Sequence, residues 1–482
     1  FIQRGNKTEV NTFPNEPFKS YFSGNTVQIC PVGALTSTSY RFKARPWDLK
    51  STRSTCNGCP TGCSIELNSS QNKMLRILGV DNDAVNQGWM CDKGRYNFEY
   101  LNSDSRLKTP LKMMDNELVE IEIQDIYSEL TEFIKDRQTK VNFLLGSNLT
   151  NEDYVAFREF SKTISQSESS FYLNDDLLYK GFFGDNIELA KIDDLNSSDA
   201  IVVWAEDLKE KLPVLYLRIR QAVKNGVKLV VFGHTNETLS DIADVFYGKD
   251  MVSENFEILK DLSKMKEINN LVVGKNITAI LGKSTPYQAD ESITKLFEFL
   301  NSNANSKVLN AYSKGNTYGA FQTLENLKGL NDFVNDISKD NTDLLFIVGA
   351  DPIGRSVYSN QIKSIIKSIN TVVTLDNFNH ETSELSDYVV PISSTLGEKE
   401  GTFTNIEFRT SRIEKLVPSP GQTVSDWEFI TSLMNFAGLK AEANSLEDLN
   451  RKAYENLDSS LSPVFDNLDK PSNLDGMVNV SK

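Results

Sequence analysis

The residues best suited to chemistry are five cysteines, all within the first 91 positions of a chain of 482 residues. Three of them lie close together in the segment CNGCPTGC, at Cys56, Cys59 and Cys63, and Cys91 opens the later segment CDKGR. An odd number of cysteines gathered at one end argues against a disulfide framework, whose bridges would be distributed over the fold. Glycine and proline give the first segment the tight turns that a compact loop needs. Four thiolates in this spacing predict one [4Fe–4S] cluster.

A single zinc ion is the alternative occupant of this cysteine set. Zinc ribbons usually pair two CxxC knuckles on separate hairpins, whereas this chain has three cysteines on one loop and a fourth elsewhere. A [4Fe–4S] cluster transfers one electron at a time, at a potential that depends on burial, hydrogen bonds to sulfur and nearby charge. Lys93 and Arg95 lie beside Cys91, where they either stabilise the reduced cluster or remain ordinary solvated charges.

The fifth cysteine, Cys30, opens the segment CPVGALT. A Cys-Pro pair that follows an upstream run of cysteines is typical of ferredoxin-like cluster sites. Cys30 alone cannot hold a cluster, and the chain has no other spare cysteine. Two interpretations follow. Either the other ligands of its cluster precede Phe1, or Cys30 is a buried thiol. The first is favoured because the chain does not begin with methionine.

The overall composition excludes two classes of partner. The chain has 51 Lys and Arg against 66 Asp and Glu, a net charge of −15, so a nucleic-acid backbone would be repelled on average. The longest apolar runs have the length of a strand, well short of the ~18 residues of a membrane helix. We therefore expect no nucleic-acid binding and no direct membrane insertion. With 39% hydrophobic and 24% charged residues, the composition is that of a globular protein, and a length of 482 residues predicts roughly three domains.

A short strand is predicted at Lys73–Val80, and from about Thr109 strand-like and helix-like segments alternate. Continuous apolar segments predict strands at Val141–Gly146, Ala200–Ala205, Val227–Gly233, Ile277–Gly282, Leu344–Gly349 and Thr371–Leu375. Apolar residues at helical spacing predict helices at Asn151–Ile164, Leu212–Val223, Glu291–Leu300 and Ser356–Ile369. Buried strands separated by amphipathic helices indicate an α/β fold with Rossmann-like parallel sheets, in two units of about 120–245 and 270–400.

Longer segments around the cysteines resemble a known family. The segment FSGNTVQICPVGALTSTSYRFKARPWDLKST (Phe22–Thr52), followed by CNGCPTGC and CDKGR, resembles the large iron–sulfur subunits of NADH-quinone oxidoreductase, respiratory complex I, in the molybdopterin oxidoreductase superfamily. LLFIVGADPIGR (Leu344–Arg355) is similar to the superfamily's strand and loop that approach a pterin dinucleotide. EKEGTFTNIEFR (Glu398–Arg409) is similar to its E-x-GT-x-x-N-x-E-GR segment, with Phe408 where glycine is expected.

The resemblance implies four parts of the chain. They are the C-terminal remnant of a ferredoxin-like iron–sulfur domain (1–50), a [4Fe–4S] domain of the type that accompanies bis-pterin centres (51–107), a molybdopterin oxidoreductase-like α/β body (108–440) and a C-terminal tail (441–482). Within the family, Cys30 would be the fourth ligand of a second [4Fe–4S] cluster whose other ligands precede Phe1. That cluster and a [2Fe–2S] cluster would be present only with the preceding part. The four-cysteine cluster would lie off the main electron path.

By the same resemblance, the chain would relay electrons from NADH and flavin toward quinone within a respiratory-chain translocase, with no catalytic centre of its own. Its partners would be the other subunits of the complex I peripheral arm, including the flavin- and NADH-binding subunit. Quinone would be reached only indirectly. The chain would lie on the cytoplasmic face of the cell membrane as a peripheral part of a membrane complex.

A formate dehydrogenase-like enzyme is the alternative function. Lys93 favours it slightly, since such enzymes often place a lysine between cluster and pterin. However, no cysteine follows Cys91 to bind molybdenum or tungsten, and the neighbourhood of Ser167–Tyr172 offers only serines, so molybdopterin is not expected. The two histidines, His234 and His380, follow predicted strands and are interpreted as structural residues. A non-redox scaffold around a structural metal is the third hypothesis.

Overall fold

The computed structural model describes residues 2–9, 11–12, 18, 20–135, 139–164, 169–175, 188–247, 262–282, 296, 298–302, 304–337, 342–354 and 356–454. In chain order, the strands are β1 (Lys50–Thr55), β2 (Ser64–Ser70), β3 (Lys73–Gly79), β4 (Leu111–Met114), β5 (Glu117–Glu120), β6 (Val141–Leu145), β7 (Phe171–Leu173), β8 (Glu188–Leu189), β9 (Ala200–Trp204), β10 (Lys228–Phe232), β11 (Val245–Tyr247), β12 (Asn276–Leu281), β13 (Asn305–Asn310), β14 (Leu344–Val348), β15 (Thr371–Asp376), β16 (Tyr388–Pro391), β17 (Gly401–Thr404) and β18 (Thr410–Ile413).

The α-helices are α1 (Ser23–Ile29), α2 (Asp92–Tyr96), α3 (Ile123–Lys135), α4 (Asn151–Ile164), α5 (Asp194–Ser197), α6 (Leu208–Lys211), α7 (Pro213–Lys224), α8 (Leu262–Val272), α9 (Thr317–Thr323), α10 (Leu330–Ile337), α11 (Ser359–Ile366), α12 (Asp426–Phe436) and α13 (Leu446–Tyr454). Short 3-10 helices lie at Gly5–Lys7, Pro46–Asp48, Glu99–Asn102, His234–Leu239 and Ser383–Leu385.

The first three strands form a small antiparallel sheet in the order β1-β2-β3. Ile65 and Leu67 of β2 are fully buried, because alternate side chains of an extended strand point to the same face. β2 and β3 are joined at Gln71 and Asn72, which both have positive φ, as the two-residue turn that matches strand twist requires. This sheet supports the loop that carries three of the cysteines.

The larger α/β part contains a sheet of seven strands in the order β5-β4-β16-β15-β14-β6-β7, in which β4 and β5 are the antiparallel members. Its central strands are apolar throughout, because helices cover both faces. Phe143 and Phe346 pack with α3, α4 and α12 on one face. Leu144 and Ile347 pack with α10 and α11 on the other.

The second large sheet has six parallel strands in the order β11-β10-β9-β12-β13-β8. Val203 and Val231 pack with α7 on one face. Val202 and Val230 pack with α8 on the other. The predicted parallel sheets with helices on both faces are therefore present.

The two sheets are not the consecutive units of about 120–245 and 270–400 that the sequence predicted. Residues 188–310 provide every strand of the six-stranded sheet, and the seven-stranded sheet takes its strands from 111–173 and 344–391 on either side. β6 therefore pairs with β14, for example Leu144 with Ile347. A strand pattern identifies a buried segment but does not identify its neighbour, since parallel strands are joined by long crossover connections.

The positions of the predicted strands are confirmed within one or two residues, as are the helices α4 and α7, whereas α11 is three residues shorter at each end than predicted. The predicted helix Glu291–Leu300 lies largely outside the described residues. No helix in the described ranges is both long and apolar enough to cross a bilayer.

The C-terminal tail predicted for 441–482 contains a helix that the sequence analysis missed. α13 packs against α4, where Leu449 and Ala453 are buried beside Val155 and Ala156. The helical spacing of these two apolar side chains is obscured in the sequence by their polar neighbours. Residues 455–482 lie outside the described part of the chain.

Candidate metal centre

Three of the predicted ligands lie on one closed loop between β1 and β2. The backbone N–H of Cys56 donates to the carbonyl oxygen of Cys63 at 2.9 Å, which extends the antiparallel pairing of the two strands to the base of the loop. The N–H of Gly62 donates to the carbonyl oxygen of Cys59 at 3.3 Å. Gly62 has a φ of +62°, a conformation that glycine adopts without strain. The loop therefore holds its three cysteines on a short, hydrogen-bonded frame.

The fourth cysteine arrives at the beginning of α2. Cys91 is the N-cap residue of that helix, and its sulfur accepts a hydrogen bond from the N–H of Gly94 at 3.4 Å. A Cβ atom on Gly94 would lie 3.0 Å from the Cys56 sulfur and 3.7 Å from the Cys91 sulfur. Gly94 thus faces both sulfur atoms, and the absence of a side chain lets the loop and the helix approach.

All four thiols are buried and each is between 4% and 9% exposed. Burial, with the charges of Cys59 and Cys91, raises the pKa of Cys56 above its ordinary value. Burial raises the pKa of Cys63 in the same way, with further contributions from Cys59 and Cys56. The pKa of Cys91 is raised to about 11, first by burial and then by Cys59. Buried thiols with a raised pKa become thiolates when a cationic group binds them.

Two cationic groups are the candidates for this set of thiols, a zinc ion and a cubane cluster. Within the described part of the chain, no three His, Cys, Asp or Glu side chains are arranged to hold a single metal ion. A zinc ion would need its sulfur ligands about 2.3 Å from one point. A cubane cluster binds each thiolate to a separate iron and so requires wider spacing. The donor set of four buried cysteine sulfurs matches the four thiolates that hold a cubane cluster.

The two basic residues beside Cys91 have different environments. Lys93 is exposed, and its charge lowers the pKa of Cys91 by a smaller amount than burial raises it. Arg95 is buried, and its guanidinium donates to the side-chain oxygens of Gln28 at 2.8 Å and Asn25 at 2.9 Å. The alternative that both are solvated charges is therefore wrong for Arg95, which ties α2 to α1.

Helix α1 is fixed to the cysteine region by further hydrogen bonds. The carboxylate of Asp92 accepts from the backbone N–H groups of Ser23 and Gly24, both at 2.8 Å. Asn25 and Met90 exchange two hydrogen bonds, one of 2.7 Å and one of 3.2 Å. Asp92 and Arg95 therefore position α1, a role that the sequence analysis did not assign because their partners lie more than sixty positions away.

Cys30 follows the last residue of α1 and is half-buried, in contrast to the other four cysteines. The backbone N–H of Leu35 lowers the pKa of the Cys30 thiol, and the N–H groups of Ala34, Val32 and Gly33 act in the same direction. Successive N–H groups that face one sulfur stabilise its thiolate form. The CPVGAL segment therefore makes Cys30 a better metal ligand than an ordinary exposed thiol.

A buried polar chain connects the cysteine region to the α/β body. The hydroxyl groups of Tyr100 and Ser394 are 2.6 Å apart, and the N–H of Ser394 donates to Glu398 at 2.8 Å. Glu398 forms a two-point ion pair with Arg106. Burial raises the pKa of Tyr100 to about 12, so the phenol remains protonated near neutral pH. Tyr100 packs against the apolar cluster that contains Cys56 and Cys63.

A second group of buried charges is centred on Lys399, which follows Glu398 in the sequence. The ammonium group of Lys399 is 2.5 Å from Asp153 and 2.5 Å from Asp426, and all three side chains are almost completely buried. Burial raises the pKa of Asp426 to about 7, against the opposing effect of Lys399. The two carboxylates raise the pKa of Lys399 despite its burial. This triad fastens the segment before β17 to α4 and α12, so its role is structural.

The crevice between β6 and β14 is the place where a family of this fold would hold a dinucleotide, because the strand order changes direction there. A Cβ on Gly146 would lie 1.9 Å from the carbonyl oxygen of Gly349. A Cβ on Gly315 would lie 2.3 Å from the carbonyl oxygen of Ser147 and 3.2 Å from that of Asn57. The backbone segments therefore lie close together beside the ends of β6 and β14, and neither glycine could carry a side chain without displacing a neighbour.

The structure describes only some of the remaining candidates from the sequence. Residues 165–168 lie outside the described residues, and Phe171 and Tyr172 are core residues of β7. The side chain of His234 also lies outside the description. His380 lies between two carboxylates, with Nε2 3.3 Å from Asp376 and Nδ1 3.5 Å from Asp351.

Comparisons with protein families agree with this arrangement. Residues 106–436 match the molybdopterin oxidoreductase family, and residues 49–103 match the molybdopterin oxidoreductase Fe4S4 domain. Residues 1–36 match the ferredoxin-like domain of NADH-quinone oxidoreductase subunit 3. The predicted fold class and the predicted [4Fe–4S] cofactor are confirmed by these matches. The identity of the ligands stays a prediction.

Individual relatives extend the same similarity. An NADH-quinone oxidoreductase subunit of Mycobacterium bovis is 34% identical over 233 residues, which is 46% of this chain and 29% of the relative. The NADH-ubiquinone oxidoreductase 75 kDa subunit of Reclinomonas americana is 25% identical over 480 residues, which is 94% of this chain and 66% of the relative. The chain thus spans less than a third of the mycobacterial relative. The solved structure of acetylene hydratase from Pelobacter acetylenicus shares the fold, with a TM-score of 0.59, 12% identity, and coverage of 80% of this chain and 69% of that one.

Proposed function

Since this chain belongs to the molybdopterin oxidoreductase family, we propose that it is an electron-relaying iron–sulfur subunit of an NADH-quinone oxidoreductase. The observation that carries the proposal is the set of four buried thiols on the β1–β2 loop and at the start of α2, in a segment that matches an Fe4S4 domain. The similarity to the mycobacterial subunit and to the 75 kDa subunit supports the choice of complex.

The ligands of the proposed [4Fe–4S] cluster are Cys56, Cys59, Cys63 and Cys91. When bound, the cluster supplies a one-electron carrier. The chain keeps water from the thiolates by burial, and the N–H of Gly94 donates to the Cys91 sulfur. A hydrogen bond to sulfur and a nearby positive charge both favour the more negative, reduced state. Lys93 would therefore raise the reduction potential, from an exposed position.

Cys30 is proposed as the fourth ligand of a second [4Fe–4S] cluster. Its N–H-lined loop supports this role, and so does the match of residues 1–36 to a ferredoxin-like domain. The other three ligands and a [2Fe–2S] cluster would belong to sequence that precedes Phe1.

The proposed partners are the other subunits of the peripheral arm of the complex, including the flavin- and NADH-binding subunit, with quinone reached only through them. The position would be the cytoplasmic face of the cell membrane. The α/β body would serve as scaffold, which is supported by the lack of any cysteine after Cys91 that could bind molybdenum or tungsten.

Elemental analysis of these 482 residues, purified without oxygen, tests the cofactor assignment. About four irons and four sulfides per chain are expected, since one cubane contains four of each. Cys56→Ala and Cys91→Ala should each retain less than one iron per chain and lose the electron paramagnetic resonance signal of the reduced cluster. Cys30→Ala is the matched control and should keep the signal of the four-cysteine cluster.

Three outcomes would contradict the proposal. One zinc per chain without iron would indicate a structural metal. Molybdenum or tungsten near one per chain would favour the formate dehydrogenase-like alternative. If the tagged chain, isolated from its native cells, does not purify with NADH-oxidising activity, the assignment to this complex is wrong even when the cluster is present.

A further inference from the structure

The segment from Arg41 to Lys50, named here the basic aromatic strip, exposes two large rings to solvent. Phe42 is 92% exposed and Trp47 is 79% exposed. Single exposed apolar side chains are common, but two aromatic rings within six positions of one segment are not explained by chance exposure. Aromatic residues are enriched at protein interfaces because each ring offers a large contact area at a small cost in conformational entropy.

The strip is also positively charged within an acidic protein. It contains Arg41, Lys43, Arg45 and Lys50 against one acidic residue, Asp48, while the whole chain has a net charge of −15. These four basic residues are exposed. The guanidinium of Arg41 lies 4.7 Å from the centre of the Phe42 ring, so charge and aromatic surface are presented together.

The backbone of the strip is strained at its most exposed ring. Phe42 has a φ of +63°, in the left-handed region that bulky residues rarely occupy. Among the described residues little packs against this ring to compensate for the strain, since it is almost fully exposed. Strain of this kind is retained where a surrounding structure or a function requires the conformation. Here it points the ring away from the protein.

The strip is nevertheless held in a fixed conformation. The N–H of Arg41 donates to the carbonyl oxygen of Ser37 at 2.8 Å, and the N–H of Lys43 donates to that of Tyr40 at 3.1 Å. The guanidinium of Arg76 on β3 lies 4.5 Å from the centre of the Tyr40 ring. A 3-10 turn at Pro46–Asp48 sets the position of Trp47. The backbone that carries the two rings is thus prearranged, which reduces the entropy lost on binding.

We propose that the basic aromatic strip is a docking surface for an acidic face of another polypeptide, with Phe42 and Trp47 seated in apolar pockets and the basic residues facing carboxylates. A second copy of this acidic chain would be repelled on average. A lipid surface is usually met by an amphipathic helix rather than by rigid turns. The inference rests on the proposed function only in expecting the partner among the subunits of the same complex.

Site-specific photo-cross-linking in native cells tests the docking surface. A benzophenone amino acid is placed at position 42 or 47 of the full chain, and the matched control carries it at Val357, which is 55% exposed on the α/β body. Positions 42 and 47 are expected to cross-link to the same second polypeptide, through a peptide rich in Asp and Glu, and position 357 is not. Adducts to a second copy, to lipid or to this chain itself would overturn the proposal, and so would the absence of adducts.

Charge reversal provides a second measurement. Arg41→Glu combined with Arg45→Glu should lower the amount of that polypeptide retained by the purified chain by at least about tenfold, since truncating or reversing an interface anchor has effects of this size. The control, Lys266→Glu combined with Lys440→Glu, changes the net charge equally at exposed sites elsewhere and should retain it. Equal retention by both variants would overturn the proposal. The iron content reports separately on the proposed function, because none of these four residues is a proposed cluster ligand.

Discussion

Arg106 and Glu398 form a two-point ion pair in the interior although 292 positions separate them in the sequence. The side chains are 1% and 2% exposed, so the pair is shielded from water. Glu398 also accepts the N–H of Ser394, whose hydroxyl meets that of Tyr100. A single carboxylate, that of Glu398, thereby joins three regions: the cysteine region, the start of the α/β body and the segment before β17.

Removing the cation of this pair should strongly destabilise the fold. Arg106→Met leaves the Glu398 carboxylate buried without its partner, which typically costs about 3–5 kcal/mol. Urea unfolding measures the change. The exposed pair of Lys228 and Asp244 provides the control, since Lys228→Met should cost at most about 1 kcal/mol. Equal losses in the two variants would show that burial does not govern the contribution of these pairs.

The cysteine loop should be sensitive to one added methyl group. A Cβ on Gly62 would lie 2.9 Å from the Cβ of Asn405 and 3.1 Å from the ring of Phe403, and its φ is +62°. Gly62→Ala therefore adds a steric clash to backbone strain, and we expect a loss of about 2–4 kcal/mol together with reduced iron retention.

Gly438→Ala separates the two contributions of that substitution. Gly438 has a φ of +72° but no neighbouring atom within 4 Å of a Cβ, so only strain of about 1–2 kcal/mol should appear and iron content should be unchanged. Thermal unfolding and iron analysis compare the variants. If Gly62→Ala costs no more than Gly438→Ala and keeps its iron, the packing of the loop against β17 is not required.

The features that could be predicted from the sequence are local ones. Strand and helix positions follow from hydrophobic periodicity, and the metal site follows from four cysteines whose spacing has a chemical meaning. The order of the strands could not be predicted. β6 pairs with β14, and all the strands of the six-stranded sheet lie between these two in the sequence. Phe408 is a position where the backbone conformation, but not the residue type, follows the pattern expected from the sequence. It replaces an expected glycine, keeps a φ of +57°, and stacks edge-on against Tyr318.

The sequence also does not reveal which charged side chains are buried. Arg95 and Lys399 look like surface residues in the sequence, since isolated charges are rarely buried. Each is buried because partners distant in the chain satisfy it, Asn25 and Gln28 for Arg95 and two aspartates for Lys399. Such partners become visible only when tertiary structure brings their segments together.

The position of α1 should depend on Asp92. Its carboxylate accepts two backbone N–H groups at the start of that helix, and Asp92→Ala leaves them without this charged acceptor. Hydrogen exchange of the amides of residues 23–29 should accelerate by about tenfold, as the loss of bonds to a charged group implies. Asp104→Ala, at an exposed position in the same region, should leave exchange unchanged. Unaltered protection in Asp92→Ala would mean that Arg95 and Asn25 hold the helix without it.

His380 should make the stability of the α/β body depend on pH. Burial lowers the pKa of its imidazole, but the hydrogen bond and charge of Asp376, with the charges of Asp351 and Glu384, outweigh that effect and leave the pKa above its ordinary value of about 6.5. The folded state therefore binds the proton more tightly than the unfolded state does. The resulting stabilisation is fully present below the unfolded pKa and is lost as the pH rises through the folded pKa.

The comparison of the protein with its His380→Asn variant isolates this effect. The difference in free energy of unfolding between the two should be largest at pH values below about 6.5 and should shrink as the pH rises past the folded pKa of His380. Asp376→Asn, which keeps the shape of the side chain but removes its charge, should flatten the pH dependence because the imidazolium loses a partner 3.3 Å away. Urea unfolding at several pH values between about 5 and 8 provides the measurement. A difference that stays constant or grows with pH would mean that the imidazole is neutral in the folded protein and that the two carboxylates do not stabilise its charge.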